Sequence, residues 1–189
     1  MPENAFSSMP DPPDDLDLVR AARQNQKAFG DLYLRYVNPV FRYLCSRTGN
    51  VQEAEDLTSQ TFMAALESLN GFREDSRFAP WLFTIARNKA ADHFRKQKKS
   101  RRLQSELHPD QIEKGELLTR VIQTERARSL SALLQQLPEK ELELLRLRFL
   151  AEMTYVEIGE VLHRSPDAVK KSIYRLLARL KGQLEVAHD

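Results

Sequence analysis

The chain of 189 residues has 29 Lys and Arg against 27 Asp and Glu, and 41% of its residues are hydrophobic, which is a globular and only mildly basic composition. Cys45 is the single cysteine and the 4 His are scattered, so an internal disulfide is excluded and neither a metal site nor a cofactor is predicted. The sequence has no apolar run of membrane-spanning length and no signal-peptide pattern, which predicts a cytoplasmic protein without membrane insertion.

An acidic segment opens the chain. The first seventeen or so residues contain several Asp and Glu and four prolines but no Lys or Arg. Such a segment has too little apolar surface to offset the entropy lost on folding. We therefore predict a disordered acidic leader over residues 1–15.

Helical patterns dominate residues 16–99. Apolar residues predict two helices between Leu16 and Arg47, separated near Asn25, with Pro39 bending the second. A third helix is predicted from Val51 to Leu69. After the loop NGFREDSRFAP, a fourth helix with a buried apolar stripe ends in the basic run from Arg87 to Arg102. That run suits phosphate contacts, although cations at a helix end also stabilise its dipole.

The second half of the chain predicts a linker and then a second helical domain. Residues 100–127 are interpreted as a linker with a lead-in helix, because periodicity is absent until about Leu117. Residues 128–189 form the second predicted domain, in which Pro138 opens a helix. The fold class is therefore all-α, with two small helical domains joined by a flexible linker.

Two helices near the C-terminus have the pattern of a helix-turn-helix. Thr154 and Glu157 have the spacing of a capping box, and Ser165 followed by Pro166 is a strong helix start. His163 occupies the turn, where a left-handed backbone would be strained. We expect the second helix to enter the DNA major groove by its N-terminal end. Its predicted buried stripe comprises Val169, Ile173, Leu176, Leu177, Leu180 and Leu184.

Three motifs in order give a family resemblance: AEDLTSQTF from Ala54, FAPWLFTIARNKAADHFRK from Phe78, and LPEKELELLRLRFLAEMTYVEIGEVLHRSPDAVKKSIYRL from Leu137. Together they resemble the extracytoplasmic-function (ECF) sigma factors of bacterial RNA polymerase, in the sigma-70 family. The resemblance implies a protein that is not an enzyme, binds core RNA polymerase, directs it to promoters and assists promoter melting. It also implies an anti-sigma factor as a further partner.

The resemblance further implies three contact sites. The core-polymerase contacts are Asp56, Ser59, Gln60 and Met63. The proximal promoter element is contacted by Phe72, Arg73, Ser76, Arg77, Phe78, Arg87, Asn88, Arg95 and Lys96. The distal promoter element is contacted by Arg164, Ser165, Pro166, Asp167, Ala168, Lys170, Lys171 and Arg175. Large aromatics at a helix start also commonly pack into a core, which leaves a second interpretation for Phe78 and Trp81.

Other function classes explain less of the chain. A stand-alone helix-turn-helix transcriptional regulator accounts for the C-terminal domain but leaves residues 54–96 unexplained. An RNA-binding adaptor would require a stacking sheet or clamp loop, and neither pattern is present. An enzyme would require a recognisable catalytic constellation or a phosphate-binding glycine loop, and the sequence has neither.

Overall fold

The computed structural model describes residues 14–105 and 125–186, and every regular element in these ranges is helical. The all-α prediction is confirmed. The helices are α1 Asp15–Gln24, α2 Phe29–Thr48, α3 Val51–Ser68, α4 Phe78–Ser105, α5 Glu125–Gln135, α6 Glu139–Leu145, α7 Tyr155–Leu162 and α8 Pro166–Val186. Most of the predicted leader and the middle of the predicted linker lie outside the described residues. Helix α4 continues past residue 99, so the first residues of the predicted linker are helical.

Asparagine caps separate the first helices, as the sequence predicts near Asn25. The Asn25 side chain accepts a hydrogen bond from the backbone N–H of Lys27, while its own N–H donates to the Ala21 carbonyl. Asn50 caps α3 by accepting from the N–H groups of residues 52 and 53. Pro39 lies inside α2, and the helix continues through it to Thr48. Local hydrogen bonding therefore fixes where these helices begin and end.

The N-terminal domain is built around the packing of α2, α3 and α4. Leu32, Leu44, Leu82 and Phe83 are fully buried between these helices. A second group of rings lies at the start of α4, where Phe78 contacts Phe72 and Trp81 at centroid distances of 5.9 and 5.5 Å. Burial of these large side chains is the main favourable contribution to folding of this domain.

The C-terminal domain buries one stripe of α8 against the preceding helices. Val169, Ile173, Leu176 and Leu180 are buried, as predicted. The prediction is wrong for Leu177, which is 39% exposed. Leu177 also fits steps of three and four residues from Ile173 and Leu180, but at about 100° per residue it lies roughly 70° from the centre of the stripe that the four buried residues form, and so at its edge.

The two domains pack against each other. Helix α4 contacts α7, and α2 contacts a π-helical turn at residues 146–150 that directly follows α6. Buried apolar residues from both domains form one continuous cluster, which extends from Leu18 to Ile173. Nothing in the local sequence pattern predicts this contact.

Candidate nucleic-acid interface

Both helix starts in the helix-turn-helix have their predicted caps. Thr154 Oγ1 accepts from the N–H of Glu157 at 3.3 Å, and the Glu157 carboxylate accepts from the N–H of Thr154 at 2.7 Å. At the start of α8, Ser165 Oγ accepts from the N–H of Ala168 at 3.3 Å. These bonds satisfy backbone donors that the first turn of each helix leaves free.

The turn between α7 and α8 depends on two special residues. His163 has φ 53°, in the left-handed region, as the sequence analysis anticipates. Gly159 lies directly beneath the turn, because a Cβ added there would be 2.5 Å from the backbone oxygen of Arg164. Sequence reasoning missed Gly159; the available signal was an isolated glycine four residues before the turn.

Helix α8 presents an exposed cationic face. Lys170, Lys171 and Arg175 are exposed and have no ion-pair partner within the described part of the chain. Arg164, Ser165, Pro166 and Asp167 are also exposed at the N-terminal end, whereas Ala168 is half-buried. The Arg164 guanidinium donates to Ser172 Oγ at 2.7 Å, so it lies along the first turns of α8. Tyr174, 58% exposed on the same helix, adds a residue that sequence reasoning did not select.

The loop before α4 has a polar surface over a buried aromatic layer. Arg73, Ser76 and Arg77 are exposed. Phe72 and Phe78 are buried, so the structure places their rings beneath the predicted pocket rather than on its surface. This position agrees with the core interpretation of Phe78, and Trp81 is half-buried beside it.

Acidic neighbours already pair with some cations of this region. Arg73 donates to Asp75 at 2.7 Å, and this hydrogen bond lowers the pKa of the Asp75 carboxyl. Arg95 pairs in the same way with Asp92 and lowers the pKa of that carboxyl. Along α4, Asn88 and Lys96 are exposed without such partners within the described residues. Within the described residues, Asn88 and Lys96 therefore present free hydrogen-bonding groups on the outer face of α4.

Two predicted DNA contacts bind the other domain. Arg87 is half-buried and donates from Nε to the Glu143 carboxylate at 2.8 Å and from Nη1 to the Val161 carbonyl at 2.9 Å. Arg77 forms an ion pair with Glu160 of α7. In this arrangement Nε and Nη1 of Arg87 are both engaged, whereas Arg77 is 56% exposed and uses Nη1 alone.

The predicted polymerase contacts share one exposed face of α3. Asp56, Ser59, Gln60 and Met63 are all exposed, and Met63 is 62% exposed. The opposite face is buried through Leu57, Phe62, Ala65 and Ala54. Two further exposed apolar residues lie on α2, where the Tyr33 ring is 4.8 Å from Phe62 and Leu34 follows it in the chain. Sequence reasoning did not select either of them.

In the described ranges, no cluster of three His, Cys, Asp or Glu side chains could hold a metal ion. In the same ranges, no helix is long and apolar enough to cross a membrane. Cys45 is half-buried, and burial raises the pKa of its thiol, which is consistent with a packing role.

Comparison with known families assigns both domains. Residues 32–100 match sigma-70 region 2, and residues 127–180 match sigma-70 region 4. The chain belongs to the sigma-70 family. The prediction from the three motifs is thereby confirmed: the protein is an RNA polymerase sigma factor and not an enzyme. Region 2 includes most of α2, all of α3, the loop before α4 and most of α4. Region 4 includes the helix-turn-helix formed by α7 and α8.

Several relatives of this sigma factor are of the ECF type. The chain is 36% identical to the ECF RNA polymerase sigma factor BldN of Streptomyces coelicolor over 87% of this chain and 64% of that protein's length. It is 32% identical to the ECF sigma factor SigM of Bacillus subtilis over 80% of this chain and 92% of SigM. The solved structure of CnrH in complex with the cytosolic domain of CnrY matches with a TM-score of 0.65 and 28% identity, covering 91% of this chain and 97% of that chain.

The helix-turn-helix geometry predicts opposite effects for two substitutions. Gly159→Ala should destabilise the protein by about 1–3 kcal/mol, because the new Cβ would overlap the Arg164 carbonyl and force the turn to shift. His163→Gly should stabilise it by up to about 1 kcal/mol by relieving the left-handed backbone. Urea unfolding of the two variants measures both effects. Unchanged stability in Gly159→Ala would contradict the close packing of the turn.

Proposed function

We propose that this sigma factor uses three separate surfaces in transcription initiation. The exposed face of α3 binds core polymerase, the loop before α4 and the outer face of α4 bind the proximal promoter element, and α8 reads the distal element. The observation that carries the proposal is the presence of regions 2 and 4 in one chain, each with an exposed face of suitable chemistry. A stand-alone helix-turn-helix regulator would require only region 4.

The α3 face has the composition of a protein-binding surface. Met63 is a large flexible apolar side chain left in water, and Asp56 and Gln60 flank it along the same face. Interfaces commonly have an apolar centre surrounded by polar residues, and methionine is enriched at such centres. Tyr33 and Leu34 on α2 extend the exposed apolar surface of this domain. We assign all five side chains to polymerase binding.

The N-terminal end of α8 suits the major groove. Serine, proline and a small alanine at its tip allow close approach of the backbone, and the exposed N–H groups of the first turn favour a phosphate. Lys170, Lys171 and Arg175 project from the following turns and carry unpaired positive charge. We assign phosphate contacts to the lysines and either phosphate or base contacts to Arg175.

The outer face of α4 suits a separated DNA strand. Asn88 exposes an amide that can pair with a base edge, and Arg95 and Lys96 lie about two turns further along the helix, where they can hold phosphates. Arg73, Ser76 and Arg77 supply hydrogen-bond donors on the loop, supported from below by Phe72 and Phe78. We propose that this loop receives an extruded base during melting.

We also propose an anti-sigma partner and a cytoplasmic location. The solved structure of CnrH contains the cytosolic domain of CnrY, and a comparable protein could cover the exposed faces of α3 and α8 in this chain. The cytoplasm is where bacterial core polymerase and its template lie.

Replacement of Met63 tests the polymerase surface. Met63→Asp should weaken binding to core polymerase by about tenfold or more, because it places a charge at the apolar centre of the interface. Gln24→Asp is the control, since it adds the same charge at an exposed position of α1. Fluorescence anisotropy of the labelled sigma factor, titrated with core polymerase, measures both affinities. Equal affinities for the two variants would refute the assignment of this face.

Replacement of Lys171 tests the distal-element surface. Lys171→Ala should reduce the slope of log Kobs against log salt for holoenzyme on promoter DNA by about 1, which is the loss of one phosphate contact. Lys181→Ala removes the same charge from the far end of α8, where Lys181 is paired with Glu185 at 3.8 Å. A slope equal to that of the Lys181 variant would show that Lys171 does not contact DNA.

A further inference from the structure

We propose that α1, which precedes the residues matched by region 2, positions the loop that receives the extruded base. This loop, residues 69–77, connects α3 to α4 and is called the base loop below. Arg20 and Arg23 of α1 are the positioning residues, and the Glu74 carboxylate is their common partner in the loop. The proposal rests on the proposed function, because that function gives the base loop its contact with DNA. Both arginines act through the loop and not on the DNA itself.

Arg23 binds the base loop at three points. Its Nε donates to the Leu69 carbonyl at 3.2 Å, its Nη2 donates to the Phe72 carbonyl, and its Nη1 donates to the Glu74 carboxylate at 3.1 Å. The two carbonyls lie at the first residue of a short 3-10 turn and at the residue that follows this turn. A guanidinium is planar and rigid, so three acceptors bound to one of them are held in fixed relative positions. Arg23 therefore fixes the start of the loop relative to its middle.

Arg20 binds the other oxygen of the same carboxylate. Its Nε and Nη2 both donate to Glu74 Oε2, at 3.1 and 2.9 Å, whereas Arg23 donates to Oε1. The hydrogen bond from Arg20 lowers the pKa of the Glu74 carboxyl, which keeps it ionised. Asp17 is a second acidic partner of Arg20 at 3.4 Å, but it lies one turn earlier in α1. Each oxygen of Glu74 thus has a donor from α1.

Helix α1 is a firm support because it is anchored to the rest of the domain. Its buried side chains are Leu18, Val19 and Ala22. At its first residue, the Asp15 carboxylate accepts from Arg35 Nη1 at 2.6 Å and from Tyr36 Oη. The Tyr36 ring in turn lies 5.4 Å from the Phe78 ring at the start of α4. A shift of the base loop would therefore break hydrogen bonds to a helix that is itself packed in place.

The bonds from α1 meet the loop between its buried ring and its exposed donors. Phe72, whose carbonyl Arg23 binds, has its ring 5.2 Å from Trp81 in the buried aromatic layer. Glu74 directly follows Arg73, and two residues separate it from Arg77; both arginines are assigned above to DNA. A pocket that is already ordered does not lose loop entropy when the base enters. The α1 contacts should therefore favour binding of the extruded base.

The same contacts contribute little to the stability of the fold. The side chains of Arg20 and Glu74 are 54% and 44% exposed, and ion pairs in such positions add little to the free energy of unfolding. The apolar core of the domain does not depend on them. Loss of the Glu74 carboxylate should leave the domain folded and allow the base loop to move, which separates a positioning role from a structural one.

The test compares Glu74→Ala with Asp17→Ala in the full chain. Both variants remove one carboxylate partner of Arg20, but only Glu74 lies in the base loop. Trp81 is the single tryptophan, so acrylamide quenching of its fluorescence reports the exposure of the aromatic layer. Urea unfolding measures stability in parallel.

The functional measurement uses the holoenzyme with core polymerase. Its affinity for the single-stranded proximal element of a promoter found by run-off transcription is measured with an abasic site at each position in turn. The ratio of the intact to the abasic affinity, at the position where the ratio is largest, isolates the contribution of the base pocket. A variant that merely weakens all DNA binding leaves this ratio unchanged.

We expect Glu74→Ala to lower the ratio by about fivefold, since apparent affinity scales with the ordered fraction of the loop. It should also increase quenching of Trp81, whereas Asp17→Ala should change neither quantity. Arg20→Ala combined with Glu74→Ala should be no worse than Glu74→Ala alone, because the two residues share one contact. An unchanged ratio in Glu74→Ala, or an equal decrease in Asp17→Ala, would overturn the proposal.

A second variant keeps the proposal testable if urea unfolding shows that Glu74→Ala is not folded. Arg23→Lys keeps the positive charge but loses the planar fork, so it should lower the ratio as well, and an unchanged ratio would overturn the proposal. Equal intact and abasic affinities at every position in the unsubstituted protein would instead refute the base pocket of the proposed function, and the support from α1 with it. Absence of transcription by the unsubstituted protein would refute the proposed function as a whole.

Discussion

The packing of the two domains depends on one buried carboxylate, that of Glu143 on α6. Tyr43, Arg47 and Arg87 hold it from the other domain, and this one contact brings α7 against α4. Because Arg87 is also a predicted phosphate contact, domain packing and proximal-promoter binding draw on the same donor. The α3 face that we assign to polymerase binding and the cationic face of α8 lie outside the contact and are exposed.

In the helix-turn-helix, the residues that set the backbone geometry differ from the residues that we assign to DNA contacts. Gly159 and His163 define the path from α7 to α8, and the Ser165 cap defines where α8 begins. None of these backbone features reads a base. They fix the direction of α8 and therefore the direction in which Lys170, Lys171 and Arg175 project.

The sequence predicts well what depends on neighbouring residues. The Thr154 and Glu157 capping box, the break at Asn25 and the exposed face of α3 follow from spacings of a few positions, and all three are present in the structure. Features that depend on contacts between distant parts of the chain cannot be predicted from such local spacings. The burial of Phe72 requires knowing that Trp81 and Phe78 cover it, and the role of Glu143 requires the packing of two domains. On α6, Glu143 looks like any other surface glutamate beside Glu141.

Family membership and the exposed faces of α3 and α8 support one claim, that this chain takes part in transcription initiation by joining core polymerase and contacting two promoter elements. Run-off transcription tests it most directly, with purified bacterial core polymerase and a library of promoter fragments, in the presence and absence of the protein. We predict transcripts from a defined subset of fragments that require the protein. Binding to duplex DNA without any protein-dependent transcript would contradict the claim and favour a stand-alone regulator.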